Sequence, residues 1–303
     1  MKLAITGGTG FVGSRLIDAA LEAGHSVLAL RRRPQETRSG LEWIEGSLSD
    51  AAALEDLIDE TDAVIHVAGV LKARDAAGFE EGNVAGTLAA LAAATACGTK
   101  RFVHVSSLAA REPGLSLYGA SKVKAEALVE ESGLDWAIVR PPAVYGPGDR
   151  ETLDLFRMAR AGRIYMPPGG RLSLIHVDDL ARLLLVLALP DAPAQLVVEP
   201  DDGKPGGWSH REFGDALGRA VGVHARTIST PRYLLTIGSR LDRLLRGRNA
   251  KLTSDRVAYF CHPDWAVSAD RAAPGHLWRP LIPTDEGLRQ TADWYREHGW
   301  LPR

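Results

Sequence analysis

Tyr118 and Lys122 stand four residues apart in this 303-residue chain, a spacing that can do acid–base work. On an α-helix that spacing stacks the two side chains one turn apart on one face. A free phenol titrates near pKa ~10 and needs help to transfer protons at neutral pH. An ammonium one turn away favours the phenolate and supplies that help. Eleven residues before Tyr118 lies Ser107, which with Ser106 follows the apolar run Arg101–Val105. A second chemistry sits at the N-terminus, where Gly7, Gly10 and Gly13 recur every third residue. They separate the apolar run Leu3–Ile5 from a stretch with Val12, Leu16, Ala20 and Ala23 on one helical face. A strand, a glycine turn and a helix start make a phosphate cradle. Gly7 permits the tight turn, Gly10 the close approach of a pyrophosphate, and Gly13 the packing of helix on strand. The free N–H groups of the first helical turn then face the anion.

These residues need a parallel sheet to carry them. Ser26–Leu30 reads as a second strand that runs into Arg31-Arg32-Arg33. A binder of NAD usually places an acid about twenty residues past the glycines, and an arginine there suits the 2′-phosphate of NADP. Ala63–Gly69 reads as a buried strand ending in small residues that leave room for a ligand, with His66 a core histidine. Asn83 lies in an alanine-rich helix that ends near Gly98, and residues 135 to 140 form a strand stopped by Pro141-Pro142. Ser49 or Asp50 caps a helix through Leu54 and Ile58, and Thr284 caps the last helix. Ser209 with Glu212 makes a capping box for a helix to Val221. Tyr165–Gly170 is expected to be irregular and to face substrate.

Composition limits the partners. A net charge of −2 argues against a general nucleic-acid binder. Cys97 and Cys261 make neither a disulfide framework nor a metal spacing, which fits a reducing cytoplasm and predicts no metal site. The N-terminal apolar run breaks at Thr6, so no signal peptide is expected. Residues 232–256 hold seven Lys/Arg against two Asp, with an apolar face of Leu234, Leu235, Leu241, Leu244 and Leu245. Such a segment can lie on anionic lipid or hold an anionic substrate. A packed helix with a solvated basic face is the favoured reading.

The chain resembles the extended short-chain dehydrogenase/reductases, the NAD(P)-dependent epimerase/dehydratase family. The resemblance rests on Thr6-Gly-Gly-Thr-Gly-Phe-Val-Gly13, His66-Val-Ala-Gly69, Asn83-Val-Ala-Gly-Thr87 and Val105-Ser-Ser107. Tyr118-x-x-x-Lys122, Arg140-Pro-Pro-Ala-Val-Tyr-Gly146, Ile175-His-Val-Asp-Asp179 and the closing Asp285-Glu-Gly-Leu288 with Trp294-Tyr295 extend it over nearly the whole chain. It implies an α/β fold, a doubly wound parallel Rossmann sheet with a smaller, mostly C-terminal substrate lobe. The expected division is 1–200, with a substrate-lobe insertion near 146–172, and 201–303. The resemblance makes Tyr118 the acid/base, Lys122 its activator and holder of the nicotinamide ribose, and Ser107 the group that polarises the reacting oxygen. Ser106 supports the turn, and Asn83 ties backbone together. The dinucleotide is expected against Gly7, Thr9, Gly10, Phe11, Val12, Arg31, Arg32, Ala68, Gly69, Lys122, Pro141 and Val144. Gly46-Ser47-Leu48 departs from the family's Gly-Asp-Leu, so Ser47 and Leu48 would meet the adenine without the usual acid.

Family dehydratases and decarboxylases often carry an acid just after the catalytic hydroxyl, and here Leu108 and Ala109 cannot move protons. The expected activity is therefore hydride transfer between NADP(H), with NAD as the other candidate, and a small-molecule carbonyl or hydroxyl. Two alternatives are a nucleotide-sugar epimerase with transient oxidation and a non-catalytic nucleotide-holding assembly or sensor subunit. A homodimer is common in the family.

Overall fold

The computed structural model describes residues 1–247 and 254–302. Contacts divide the chain into two units, each assembled from three separate segments. The first holds Met1–Pro141, Asp178–Glu199 and Ala273–Trp278; the second holds Pro142–Val177, Pro200–Ala272 and Arg279–Arg303.

The first unit is built on seven parallel strands: β1 (Lys2–Thr6), β2 (Ser26–Arg31), β3 (Leu41–Glu45), β4 (Ala63–His66), β5 (Arg101–Val105), β6 (Asp135–Val139) and β7 (Leu196–Val198). Their spatial order is β7-β6-β5-β4-β1-β2-β3. The order reverses between β1 and β4, the place where an open α/β sheet receives ligands beyond its strand ends. Helices α1 (Phe11–Glu22), α2 (Ala51–Ile58), α3 (Gly86–Ala96), α4 (Leu117–Glu130) and α5 (Val177–Ala188) accompany it. Leu54, Leu57 and Ile58 of α2 and Ala90, Leu91 and Ala94 of α3 bury against Ala4, Val64, Phe102 and Ile138 of the sheet. Both faces of each central strand are covered, so those strands read as unbroken apolar runs. Asp50 caps α2 by accepting from the Ala53 N–H at 3.2 Å. β4 stops at His66, three residues short of the stretch read from sequence. The Val67 N–H still reaches the Thr6 carbonyl at 3.3 Å, but the Ala68 N–H goes to the Thr6 side chain instead of a ladder carbonyl.

The second unit has only short pairings. Ala143–Tyr145 runs parallel to Leu174–His176, and Arg163–Met166 runs parallel to Arg226–Ser229. Tyr165 and Met166 thus lie on a strand, and only the residues after them are irregular. Helix α6 (His210–Val221) begins with the expected capping box of Ser209 and Glu212 and ends at Gly222 with φ 73°. Beyond it come α7 (Arg232–Arg246), α8 (Ser254–Phe260) and α9 (Thr284–Glu297). Tyr145, Phe156, Phe213, Leu217, Leu288 and Tyr295 form the core. Gly287 fits there because a Cβ would press on the Tyr145 hydroxyl at 2.7 Å.

Two expectations are corrected. Thr284 is not a cap, since Pro283 holds that position and the Thr284 hydroxyl donates to the Asp202 carboxylate instead. The apolar face of α7 is not packed: Leu234, Ile237, Leu241, Leu244 and Leu245 are exposed. The rest of the basic segment, 248–253, lies outside the described residues. Among the described residues no helix is long and apolar enough to cross a membrane.

Candidate active site

The glycine turn takes the form its spacing demands. Gly7 has φ +74°, and a Cβ there would meet the Ala68 amide nitrogen at 2.6 Å. A Cβ at Gly13 would overlap the Gly7 carbonyl, so α1 can pack this closely only with glycine. Gly10 is the N-cap of α1 and no side chain caps the helix, which leaves its first-turn N–H groups for an anion. Thr9 and Gly10 are exposed, and Phe11 and Val12 are half-buried beside them. The Thr6 hydroxyl braces the far wall of the turn. It takes the Ala68 N–H at 3.3 Å and shares a hydrogen bond with His66 Nδ1 at 2.8 Å. His66 is fully buried, and its Nε2 pairs with the Thr87 hydroxyl at 3.2 Å. Burial, reinforced by the Lys122 charge, pushes the His66 imidazole down to about 3, so it is a neutral core group.

Arg31 ends β2, half-buried, while Arg32 and Arg33 beyond it are exposed. The Arg31 Nε is buried without a hydrogen-bond partner, and the Glu45 carboxylate stands 4.0 Å from its Nη2. Ser47 bonds Ser49 at 2.8 Å, and Leu48 is half-buried beside Gly86, whose Cβ it would touch at 2.7 Å. Pro141 is buried after β6, its carbonyl taking the Leu108 N–H at 3.0 Å. Val144 belongs to the second unit, half-buried on the strand Ala143–Tyr145.

Ser107 and the Lys122 ammonium lie at the carboxyl end of β5, and Tyr118 stands one turn before Lys122 on α4. Ser107 begins a short 3₁₀ turn, Leu108–Arg111, with its Oγ accepting from the Ala109 N–H at 3.2 Å. The hydroxyl proton remains to donate. Ser116 caps α4 by accepting from the Gly119 N–H at 3.0 Å, which sets the helix to start just before Tyr118. Gly119 then lies so close to the 3₁₀ turn that a Cβ would sit 2.6 Å from the Ala109 carbonyl oxygen. That backbone contact draws the Tyr118 helix against the Ser107 segment. Tyr118 is half-buried, its ring 6.2 Å from that of Phe79.

Lys122 is buried, and its Nζ donates to the Val105 carbonyl at 2.9 Å. A Cβ at Gly69 would stand 3.2 Å from that nitrogen, so Gly69 leaves the space the ammonium fills. Burial pushes the Lys122 ammonium down to about 8, with the Glu126 carboxylate opposing the fall. Asn83 ties the neighbouring backbone: its amide takes the Val70 N–H at 2.7 Å and gives to the Ser121 hydroxyl at 2.8 Å. It sits in a π-helical turn, Glu80–Ala85, that leads into α3.

One part of the site escaped the sequence reading. Glu126, on the face that also bears Tyr118 and Lys122, is buried and takes two bonds from Arg140, at 2.9 and 2.6 Å. The Ser106 hydroxyl also donates to it. Arg140 and Arg111 approach the buried Glu199 at 3.6 and 3.4 Å. This network locks the ends of β5, β6 and β7 to α4. The signal was the third member of an i, i+4, i+8 series, a carboxylate on a helix face that meets the sheet.

The profile of the NAD dependent epimerase/dehydratase family matches residues 3–198. A ceramide reductase of Caulobacter vibrioides is 37% identical over 314 aligned positions, covering 99% of this chain and 96% of that protein. A 2-alkyl-3-oxoalkanoate reductase of Stenotrophomonas maltophilia is 31% identical over 328 positions, covering 96% and 98% respectively. Among solved structures, MoeE5 in complex with UDP-glucuronic acid and NAD shares the fold with a TM-score of 0.75. It is 22% identical, over 98% of this chain and 99% of that one.

Proposed function

Since the chain belongs to the NAD dependent epimerase/dehydratase family and is an NAD(P)-dependent oxidoreductase of it, we propose that it reduces a ketone on an alkyl-chain substrate with NADPH. The names of the two reductases above both refer to molecules with alkyl chains, which supports that substrate class. The residues fit a dinucleotide at the glycine turn, where side chains are excluded and α1 is left uncapped. The orphaned, buried Arg31 Nε at the end of β2 supports the 2′-phosphate of NADP as the group read there. The nicotinamide supplies the hydride when bound.

The single observation that carries the reading is the buried Lys122 ammonium one turn from Tyr118, with Gly119 docking that helix on the Ser107 turn. In the proposed reaction Ser107 donates a hydrogen bond to the substrate carbonyl and steadies charge as it builds there. Tyr118 gives its proton to that oxygen, and Lys122 stabilises the phenolate left behind. The Lys122 donors not spent on Val105 hold the ribose hydroxyls.

The test is turnover with alkyl ketones and NADPH in wild type and Tyr118→Phe. The variant should lose on the order of 10³-fold in kcat while binding NADPH as before. A protein that arrives with NAD bound, refuses to exchange it and oxidises no added NADPH would overturn the reductase reading in favour of an epimerase or a holding role.

A further inference from the structure

We propose that α7 is a docking helix that seats this protein on an anionic lipid surface. A helix of a folded protein normally turns its apolar stripe toward the core. Here Tyr233, Leu234, Ile237, Leu241, Leu244 and Leu245 all face out, and the last two are 80% and 82% exposed. At 3.6 residues per turn these six fall within one arc of about 120°. Single exposed leucines are ordinary, but a continuous stripe along one helix marks an interaction surface. The helix is anchored only on its other side, where Ser239 is buried and Leu235 half-buried. Its root is fixed too, because the Thr230 N–H bonds the Met166 carbonyl at 2.8 Å just before the helix begins.

Charge selects the occupant. The helix carries Arg232, Arg240, Arg243 and Arg246 against Asp242, four minus one, a net +3. Arg232, Arg240 and Arg246 are exposed, and Arg240 borders the apolar arc beside Tyr233. Arg240 alone borders the arc, with Arg232 and Arg246 on the far side of the helix and Arg246 paired with Asp242 at 3.2 Å. The net positive helix is drawn to anionic headgroups, which the long Arg240 stem reaches from the edge of the apolar arc. A second copy is the competing occupant, and the vesicle and oligomer measurements below separate the two.

This goes beyond the redox reading, and it is measured without substrate or cofactor. The full chain is floated with vesicles of phosphatidylcholine alone or mixed with phosphatidylglycerol, at low and high salt. It should bind the mixed vesicles and less so at high salt. The double variant Leu244→Asp/Leu245→Asp should lose about tenfold or more in partitioning, by withdrawing two leucines from the interface. Because both positions are exposed, its melting temperature and NADPH affinity should stay unchanged. Arg240→Glu, also exposed, should weaken binding to the mixed vesicles alone. Wild type that ignores mixed vesicles, or a double variant that binds as well, would overturn the proposal. So would a solution dimer dissolved by the double variant with no vesicle binding, which would make the stripe a self-association surface.

Discussion

Lys122 occupies a place that disfavours the charge its chemistry uses. Burial lowers its ammonium from an ordinary 10.5 to about 8, and Glu126 limits the drop. Between those values the unfolded chain holds a proton that the folded chain has released, so stability rises with pH across that window. The cost is fully present below about 8 and gone above 10.5. Thermal melts at constant ionic strength check the sign of this trend. Turnover should run the other way, because the cation beside Tyr118 is lost as pH climbs through about 8. A kcat/KM profile for reduction should fall on that limb. Lys122→Met should leave a low, flat remnant. At Arg31 the expectation concerns choice of cofactor. Arg31→Ala should weaken NADPH by roughly 10- to 100-fold, the worth of one or two charge-assisted bonds to a phosphate, and leave NADH within twofold. Equal losses for both would remove Arg31 as the reader of the 2′-phosphate.

At the scale of elements, two close fits carry the site. Gly119→Ala would push a methyl against the Ala109 carbonyl at 2.6 Å and force α4 off the Ser107 turn. About 1–3 kcal/mol of stability should go, and turnover should fall further than NADPH binding. Glu126→Ala would take both carboxylate bonds from the half-buried Arg140, leaving it only Glu199 at 3.6 Å, and would strand the buried Ser106 hydroxyl. A loss of about 3–5 kcal/mol is expected from denaturant unfolding, against little change for an exposed pair such as Lys124 with Glu80.

The strand–turn–helix at the N-terminus, the Tyr118 and Lys122 face and the Ser209 capping box were legible because short-range spacing decides each of them. What was not legible depends on distant partners. Thr284 has the right type for a cap, yet a carboxylate 82 residues away claims its hydroxyl. The turn at Glu80–Ala85 has the composition of an α-helix, and nothing local marks it as π-helical. Periodicity revealed that α7 is amphipathic. It could not say which side would find a partner, since that is a property of the surrounding fold.

For the whole molecule, the order of the chain matters more than its length. The first unit is completed by Ala273–Trp278, far downstream of its sheet, where the buried Trp278 gives its indole N–H to the Asp179 carbonyl at 3.1 Å. A fragment ending at residue 199 lacks that segment and should melt below the full chain. Trp278→Ala should reproduce part of the loss in the intact protein, about 3–5 kcal/mol for a buried tryptophan. Circular dichroism melts of the three proteins decide it.

The seven tryptophans also divide between the units, with Trp43, Trp136 and Trp278 in the first. Trp43 lies on β3 with its ring edge 3.5 Å from where a Cβ of Gly8 would stand, beside the glycine turn. Its excited state can pass energy to a reduced nicotinamide, which absorbs where indole emits. With the dinucleotide at the glycine turn as proposed, Trp43 would be an internal optical gauge of its binding. Quenching of emission by NADPH placed there should be weaker in Trp43→Phe than in wild type.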